Sequence, residues 1–435
     1  MPKVNTKLKN AQEIIKQYGL TCNDFSADKL IRFRKEMDIF EAGDSRHQSY
    51  VRHIIGDIIV IVFLALLSGA DEWTEIGDFA KKKEAWLRQF LPLDNGIPSH
   101  DTIQDVMALP DPGMLSRICL QFIIEKVDIY SEIKRHDDPF KKPDTPIMAI
   151  DGKTSRGSAG NDTGQGKTRP LHTLNAVSTN YGFSIAEVFV PEKTNEINAT
   201  EDLLDIIDVE GVVVTWDALN TQKKNVEAVI AKKGDYVVAL KGNHQSLYEE
   251  IRDYFNDEAL FINNPLSGFH ETIEKEHNAI IKREYILSRE IHWIYDRKSW
   301  AGLQAIGCVR TTASPLNGAL AATEVRYYLS SVTDVSLFAR SARQHWSVES
   351  YHWQMDFTFR DDANKTRDKK SAKNLQIMKK SVLALLKIVQ PLYKMSMKRI
   401  RYSLSLDFEN EIEKIFSVLD TPKVEAHLKE AGYLK

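Results

Sequence analysis

Asp151, Asp217 and Glu349 are the residues whose types and settings could perform chemistry together. Asp151 closes the apolar run Ile147-Met148-Ala149-Ile150, and Asp217 closes Val212-Val213-Val214-Thr215-Trp216. Glu349 lies in the helix-like stretch from His345 to Trp353. Short apolar runs bounded by polar residues read as buried strands. Both aspartates then stand at strand ends, where open α/β sheets place ligands. Two strand-end aspartates and a helical glutamate offer hard oxygen donors suited to a pair of Mg²⁺ ions. Paired ions of this kind support in-line displacement at phosphorus. The three acids point to an enzyme that cuts or transfers phosphodiester bonds.

Each acid also has an ordinary structural reading. Asp151 before Gly152 reads as a turn residue, Asp217 as a cap for the next helix, and Glu349 as an exposed helical position. Their combination on one inferred sheet is stronger than its parts. Around them stand residues suited to contacting DNA. Lys153 follows Asp151 on the same run, and Lys241 and Asn243 end a further apolar run, Tyr236 to Leu240. Glu349, His352, Trp353 and Asp356 recur at spacings of three and four and share a helix face, bringing His352 or Arg343 toward a scissile phosphate. Trp300 offers a ring for stacking on a base. His345, Glu349 and His352 do not match an established zinc-ligand spacing. The segment from Gly160 to Thr168 resembles a phosphate-binding loop, but five residues separate Gly160 from the Gly166-Lys167 pair and Pro170 follows instead of a helix. It reads as a glycine-rich hairpin turn, and no nucleotide cofactor is expected.

The elements that must position these residues change character along the chain. Residues 1–135 carry apolar residues at helical spacing and form an expected all-helical domain, a candidate for binding DNA ends. Within it, stretches near 72–90 and 101–107 suggest a helix-turn-helix with a long connection. The polar, proline-bearing segment Lys134 to Pro146 marks a boundary. Residues 136–269 then alternate strands and helices, giving the expected first part of the catalytic core. Three strands with short turns followed by β-α-β alternation predict a mixed sheet of RNase H-like order. Residues 270–332 are an expected β-rich insertion, with strand-like Ile291–Tyr295, Leu303–Val309 and Val325–Ser331. Residues 333–390 return to helices, including one over Val335–Phe359 that carries Glu349, and 391–435 form a helical tail.

Bulk properties set limits on this picture. The 435-residue chain carries a formal charge of −3, weakly against a nucleic-acid partner. That average hides thirteen Lys and Arg against three Asp between Arg360 and Arg401, a basic stretch directly after Glu349. Cys22, Cys119 and Cys308 are too scattered for a disulfide framework or a zinc knuckle. Ile58 to Leu67 is too short to span a bilayer and reads as a buried core helix. With no signal-peptide pattern at the N-terminus and few cysteines, the expected location is a reducing cytoplasm.

Motifs in order along the chain carry a resemblance: Gly96 to Thr102; Ala149-Ile-Asp-Gly-Lys-Thr154 with Arg156-Gly-Ser158; Glu192 to Ile197; Val214 to Ala218 with Gln222; Asp235 to Asn243; Arg326 to Ser331; and Arg343 to Glu349 with His352-Trp353. On these residues the chain resembles DDE transposases of bacterial insertion sequences, in the branch of H-repeat-associated proteins. The resemblance implies an RNase H-like core with a β-strand insertion and a helical N-terminal domain. It implies that Asp151, Asp217 and Glu349 are the catalytic acids holding two Mg²⁺ ions, with Mn²⁺ as a substitute. The implied activity is hydrolysis at element ends followed by strand transfer into target double-stranded DNA, carried out by a homodimer and without membrane involvement. One departure is visible at His277-Asn278, where the family typically shows Gly-Arg and a nearby acid. Two alternatives share the acids or the fold: a structure-specific endonuclease, and a catalytically silent, domesticated DNA-binding protein.

Overall fold

A computed structural model describes residues 28–47, 51–123, 145–162, 166–191, 196–276, 278–317, 320–393 and 395–418. The chain divides into two compact units. One is drawn from Met1–Lys142, Thr154–Leu171 and His352–Lys435, the other from Pro143–Lys153 and His172–Tyr351.

The strands are β1 (Ile147–Ser155), β2 (Gly160–Asp162), β3 (Gly166–Thr168), β4 (Leu171–Ser178), β5 (Phe183–Phe189), β6 (Val213–Trp216), β7 (Asp235–Leu240), β8 (Ser267–Glu276), β9 (Ala279–Ser288), β10 (Ala305–Pro315) and β11 (Ala322–Ser330). Nine of them form one sheet in the order β5-β4-β1-β6-β7-β11-β10-β9-β8. The centre is parallel, β1 with β6 and β6 with β7. β5 is antiparallel to β4, and β7, β11, β10, β9 and β8 run antiparallel in turn. The first five strands have the mixed RNase H-like order. The insertion extends that same sheet by four strands.

Strand periodicity divides the side chains between two cores. Met148, Ile150, Val214, Trp216, Tyr236 and Val238 belong to one. Ile147, Val213 and Val237, one residue out of phase, belong to the other with Phe338 and Ala342. Helices of this unit are α1 (Glu196–Ile206), α2 (Lys223–Ala231), α3 (Gln245–Asn256), α4 (Val335–Gln344) and the first part of α5 (Ser347–Thr358). Because burial on both faces needs apolar residues at every position, the central strands are the ones most legible in the sequence.

Two expectations are corrected here. Ile291–Tyr295 is not a strand but irregular chain with turns, and Ile291 and Ile294 fill the core instead. Helix over Val335–Phe359 is interrupted, α4 stopping at Gln344 and α5 starting at Ser347. The longest hairpin of the insertion, β8–β9, gave little periodic signal because most of β8 is solvent-facing. Its ten-residue register is reinforced by Arg283 with Glu274 at 2.7 Å and by Lys282 with Glu271 at 3.0 Å. Of the departure at His277-Asn278, His277 lies outside the described residues, and Asn278 stands between β8 and β9 with φ +62°. Asn tolerates that left-handed conformation better than most residues.

One glycine is required by close approach. A Cβ on Gly307 of β10 would stand 2.3 Å from Cζ of Phe338, whose ring is clamped between α4 and the sheet. Gly307→Ala is expected to cost about 1–3 kcal/mol through overpacking. Thermal melting of Gly307→Ala beside Gly307→Ala/Phe338→Leu checks this; the smaller side chain at 338 should restore part of the loss.

Among its described residues, the regular elements of the other unit are helices, the β2–β3 hairpin and the end of β1. All thirteen residues of helix Ile55–Leu67 are buried, as expected for a core helix. Asp57 in its first turn meets Arg34 at 2.9 Å. The stretch expected near 72–90 is two pieces, Trp73–Lys82 and Glu84–Leu87. Helix His100–Val106 begins at Ser99, whose hydroxyl accepts from the Thr102 N–H at 3.2 Å. Among the described residues, no helix is long and apolar enough to cross a membrane. The basic stretch is not one solvated face: Lys379, Lys380 and Arg401 are buried. Burial lowers the Lys379 ammonium from its ordinary value, with Asp361 and Asp71 opposing that shift.

Candidate active site

Register and periodicity bring the two aspartates together. β1 and β6 are parallel, with Ile147 beside Val213 and Ile150 beside Trp216. Asp151 and Asp217 each follow the last of those paired residues. Period-2 alternation turns them to the face of Ile147 and Val213, which α4 covers. Asp151 is therefore not a turn residue, since β1 runs on through Gly152 to Ser155. Glu349 is exposed in the first turn of α5. All three acids line one cleft of about 510 Å³, together with Lys241, Tyr248, Arg326, His345 and Trp346.

The electrostatics record crowded negative charge. Burial, reinforced by Asp217, Glu196 and Glu349, pushes the Asp151 carboxyl up to about 7 from 3.8, against a lowering backbone N–H bond. Burial also raises Asp217, with Glu196 adding to the effect and Lys241 opposing it. The Asp217 Oδ1 accepts the Asn220 N–H at 3.2 Å, so this acid organises its own turn rather than capping α2, which starts after Gln222. His345 is held by the Thr215 hydroxyl at 3.0 Å from Nδ1. Burial and the Arg326 charge push His345 down to about 4, leaving a neutral imidazole at neutral pH. Arg326 lies 4.2 Å from the centre of the Trp346 ring and pairs with Glu324 at 2.8 Å.

A second hollow of about 270 Å³ shares Glu324, Arg326, Tyr328, Ala342 and Trp346 with the cleft. It reaches Arg283 and Arg343. Arg343 is bonded to Glu276 at 2.9 Å.

The remaining sequence-nominated residues are placed less uniformly. Trp300 is a correction: it is 2% exposed, packed edge-on against His244, and offers no open face to a base. Asn243 donates to the Ala218 carbonyl at 2.6 Å and so fastens the β7 turn to the β6 turn. Lys153 is buried on β1. His352 follows Glu349 by one turn of α5.

Glu196, the first residue of α1 and part of the Glu192 to Ile197 motif, is a further acid beside the site that its own sequence setting does not single out. Its Oε1 is 2.7 Å from His172 Nε2, and its Oε2 accepts from Asn220 Nδ2 at 3.2 Å. The signal available in the sequence was Gly152: a Cβ there would stand 2.5 Å from Glu196 Oε1.

The donor chemistry suits a hard divalent cation, because carboxylates facing one cleft, two of them partly buried, gain from its charge. The acids share a cleft but stay apart: among the described residues, no group of three or more His, Cys, Asp or Glu is drawn together tightly enough to hold a metal ion.

An RNase H-like mixed sheet with acids at its central strand ends and on a helix after the insertion defines a broad class of RNase H-like proteins. Within it, the chain belongs to the DDE transposase family. Residues 142–385 match the family described as Transposase DDE domain, and residues 39–123 match the DDE_Tnp_1-associated family. It is 32% identical over 369 residues to YncI of Escherichia coli O157:H7, a protein named as a transposase, covering 84% of this chain and 90% of that one. A second relative is the H repeat-associated protein YhhI of Escherichia coli K12, also named as a transposase, 30% identical over 329 residues, 74% of this chain and 82% of the relative. An uncharacterized protein from the dhlA 3′ region of Xanthobacter autotrophicus is 35% identical over 281 residues, 65% of this chain and 88% of that one.

Proposed function

We propose that the chain is a DNA transposase whose catalytic acids are Asp151, Asp217 and Glu349, acting with two Mg²⁺ ions or with Mn²⁺ in their place. The observation that carries the reading is the convergence of these acids, from β1, β6 and α5, on one cleft. Bound there, the ions would activate the attacking oxygen and neutralise the leaving one. The chain's own residues bind and orient the DNA strand. Lys241 stands near Asp217 and supplies positive charge for a phosphate. Arg326 exchanges Glu324 for a phosphate oxygen while stacked on Trp346, a geometry that favours a guanidinium. Neutral His345, fixed by Thr215, keeps one ring nitrogen for substrate without adding charge. The adjoining hollow carries the strand toward Arg283 and Arg343, which release their glutamates to meet it.

In this reading, hydrolysis frees a 3′-hydroxyl at each element end, and that hydroxyl attacks target double-stranded DNA. A homodimer holds two ends at once, and the helical N-terminal residues contact them. Labelled duplexes carrying the element's own ends test the proposal, incubated with Mg²⁺, with Mn²⁺ or with chelator. Metal-dependent nicking that leaves 3′-hydroxyls at those ends is expected. Specific binding without cutting would favour the silent DNA-binding protein. Cutting of branched DNA regardless of end sequence would favour the endonuclease.

A further inference from the structure

We infer that Glu196 is a positioning residue of this site: through Asn220 it sets the carboxylate of Asp217, and it does so from a seat that only glycine at position 152 leaves open. The inference rests on the proposed function above and names a further part of the same site.

The relay consists of four contacts. His172 Nε2 meets Glu196 Oε1 at 2.7 Å and orients the carboxylate from the sheet side. Glu196 Oε2 then accepts from Asn220 Nδ2 at 3.2 Å. The same amide nitrogen approaches Asp217 Oδ1 at 3.4 Å, while the Asn220 backbone N–H donates to that oxygen at 3.2 Å. Asn220 is fully buried, and the Thr200 hydroxyl lies 3.2 Å from its Oδ1. With its amide oxygen beside Thr200 and its amide nitrogen aimed at two carboxylates, the Asn220 side chain has one orientation that satisfies all its partners. Glu196 thereby fixes a group that fixes Asp217.

Gly152 makes this arrangement feasible. A Cβ at 152 would stand 2.5 Å from Glu196 Oε1, 2.8 Å from its Cδ and 3.0 Å from His172 Cε1. The side chain following Asp151 is therefore absent because the carboxylate behind it occupies that space. Residues outside the ligand shell that orient ligands typically change metal affinity about 10- to 100-fold when removed.

The experiment measures Mn²⁺ affinity by titration calorimetry and metal-free melting temperature for the full chain, Glu196→Gln, Gly152→Ala, Asn220→Ala, Glu196→Gln/Asn220→Ala and Asp217→Asn. Wild type should bind Mn²⁺, and Asp217→Asn should lose that binding. Glu196→Gln should bind about tenfold or more weakly with its metal-free melting temperature unchanged or raised. Gly152→Ala should weaken binding in the same direction by displacing Glu196 without altering its charge. The double variant should bind no more weakly than Asn220→Ala alone, because one relay is broken once. If Asp217→Asn loses Mn²⁺ while Glu196→Gln binds as wild type does, the inference is overturned and the function stands. If Glu196→Gln lowers melting temperature and its effect on affinity adds to that of Asn220→Ala, Glu196 is structural and the inference is overturned. If wild type binds no Mn²⁺, the proposed function itself fails.

Discussion

Asp217→Asn is expected to reduce metal-dependent nicking at least about a thousandfold, as losses at reaction-centre groups commonly do. Asn keeps the size of the side chain but offers a cation only one neutral oxygen. Asp151→Asn should cost as much, and the double variant little more, because groups that act as a unit are strongly non-additive. Single-turnover nicking of labelled element ends measures the effect, and wild-type rates in either variant would show that the acids are misassigned. Stability should move the opposite way. Asp151 is raised from 3.8 to about 7, so the folded chain holds an extra proton between those values. Folded stability from this group therefore falls as pH rises through that window. Metal-free Asp151→Asn should melt above wild type at a pH beyond about 7, and the two curves should converge toward 3.8. A variant that melts lower at every pH would overturn this account of the site's charge.

Arg401→Leu is expected to destabilise the helical unit by about 3–5 kcal/mol, the usual result of stripping one partner from a buried ion pair. Arg401 and Asp71 have side chains only 6% and 4% exposed and meet at 2.6 Å. Arg401 also donates to the Leu66 carbonyl at 2.8 and 3.1 Å and to the Thr358 carbonyl. Leu66 is in the last turn of helix Ile55–Leu67, where carbonyls have no partner within the helix. The guanidinium lies 4.2 Å from the centre of the Phe359 ring. Removing it leaves buried Asp71 with only the longer contact to Arg360 Nε at 3.5 Å and takes two donors from the Leu66 carbonyl, which keeps the Gly69 N–H. Thermal denaturation should show a loss on the order of 10 °C, and Arg401→Leu/Asp71→Leu should recover part of it. A loss near zero would mean that the pair contributes only geometry.

Arg401 also shows where sequence reasoning on charge stops. Thirteen cations between Arg360 and Arg401 read as a basic surface, yet Lys379, Lys380 and Arg401 are interior. A local sequence carries no information about a partner such as Asp71, 330 positions away. Trp300 is similar, since nothing local distinguishes a stacking ring from one packed against His244. The β8 strand was missed because a mostly exposed strand needs no apolar period.

What the sequence alone determined is the central frame. β1, β6 and β7 are short apolar runs because a parallel sheet buried on both faces admits little else, and the two aspartates ending such runs were therefore legible. Helix Ile55–Leu67 was legible for the same reason. The tertiary structure decided which groups surround the acids. Parallel register sets Asp151 beside Asp217, α5 brings Glu349 to their cleft, and Glu196 approaches from α1 into the space left by Gly152. Burial and mutual repulsion then raise Asp151, an effect of through-space distance that residue spacing along a chain does not encode.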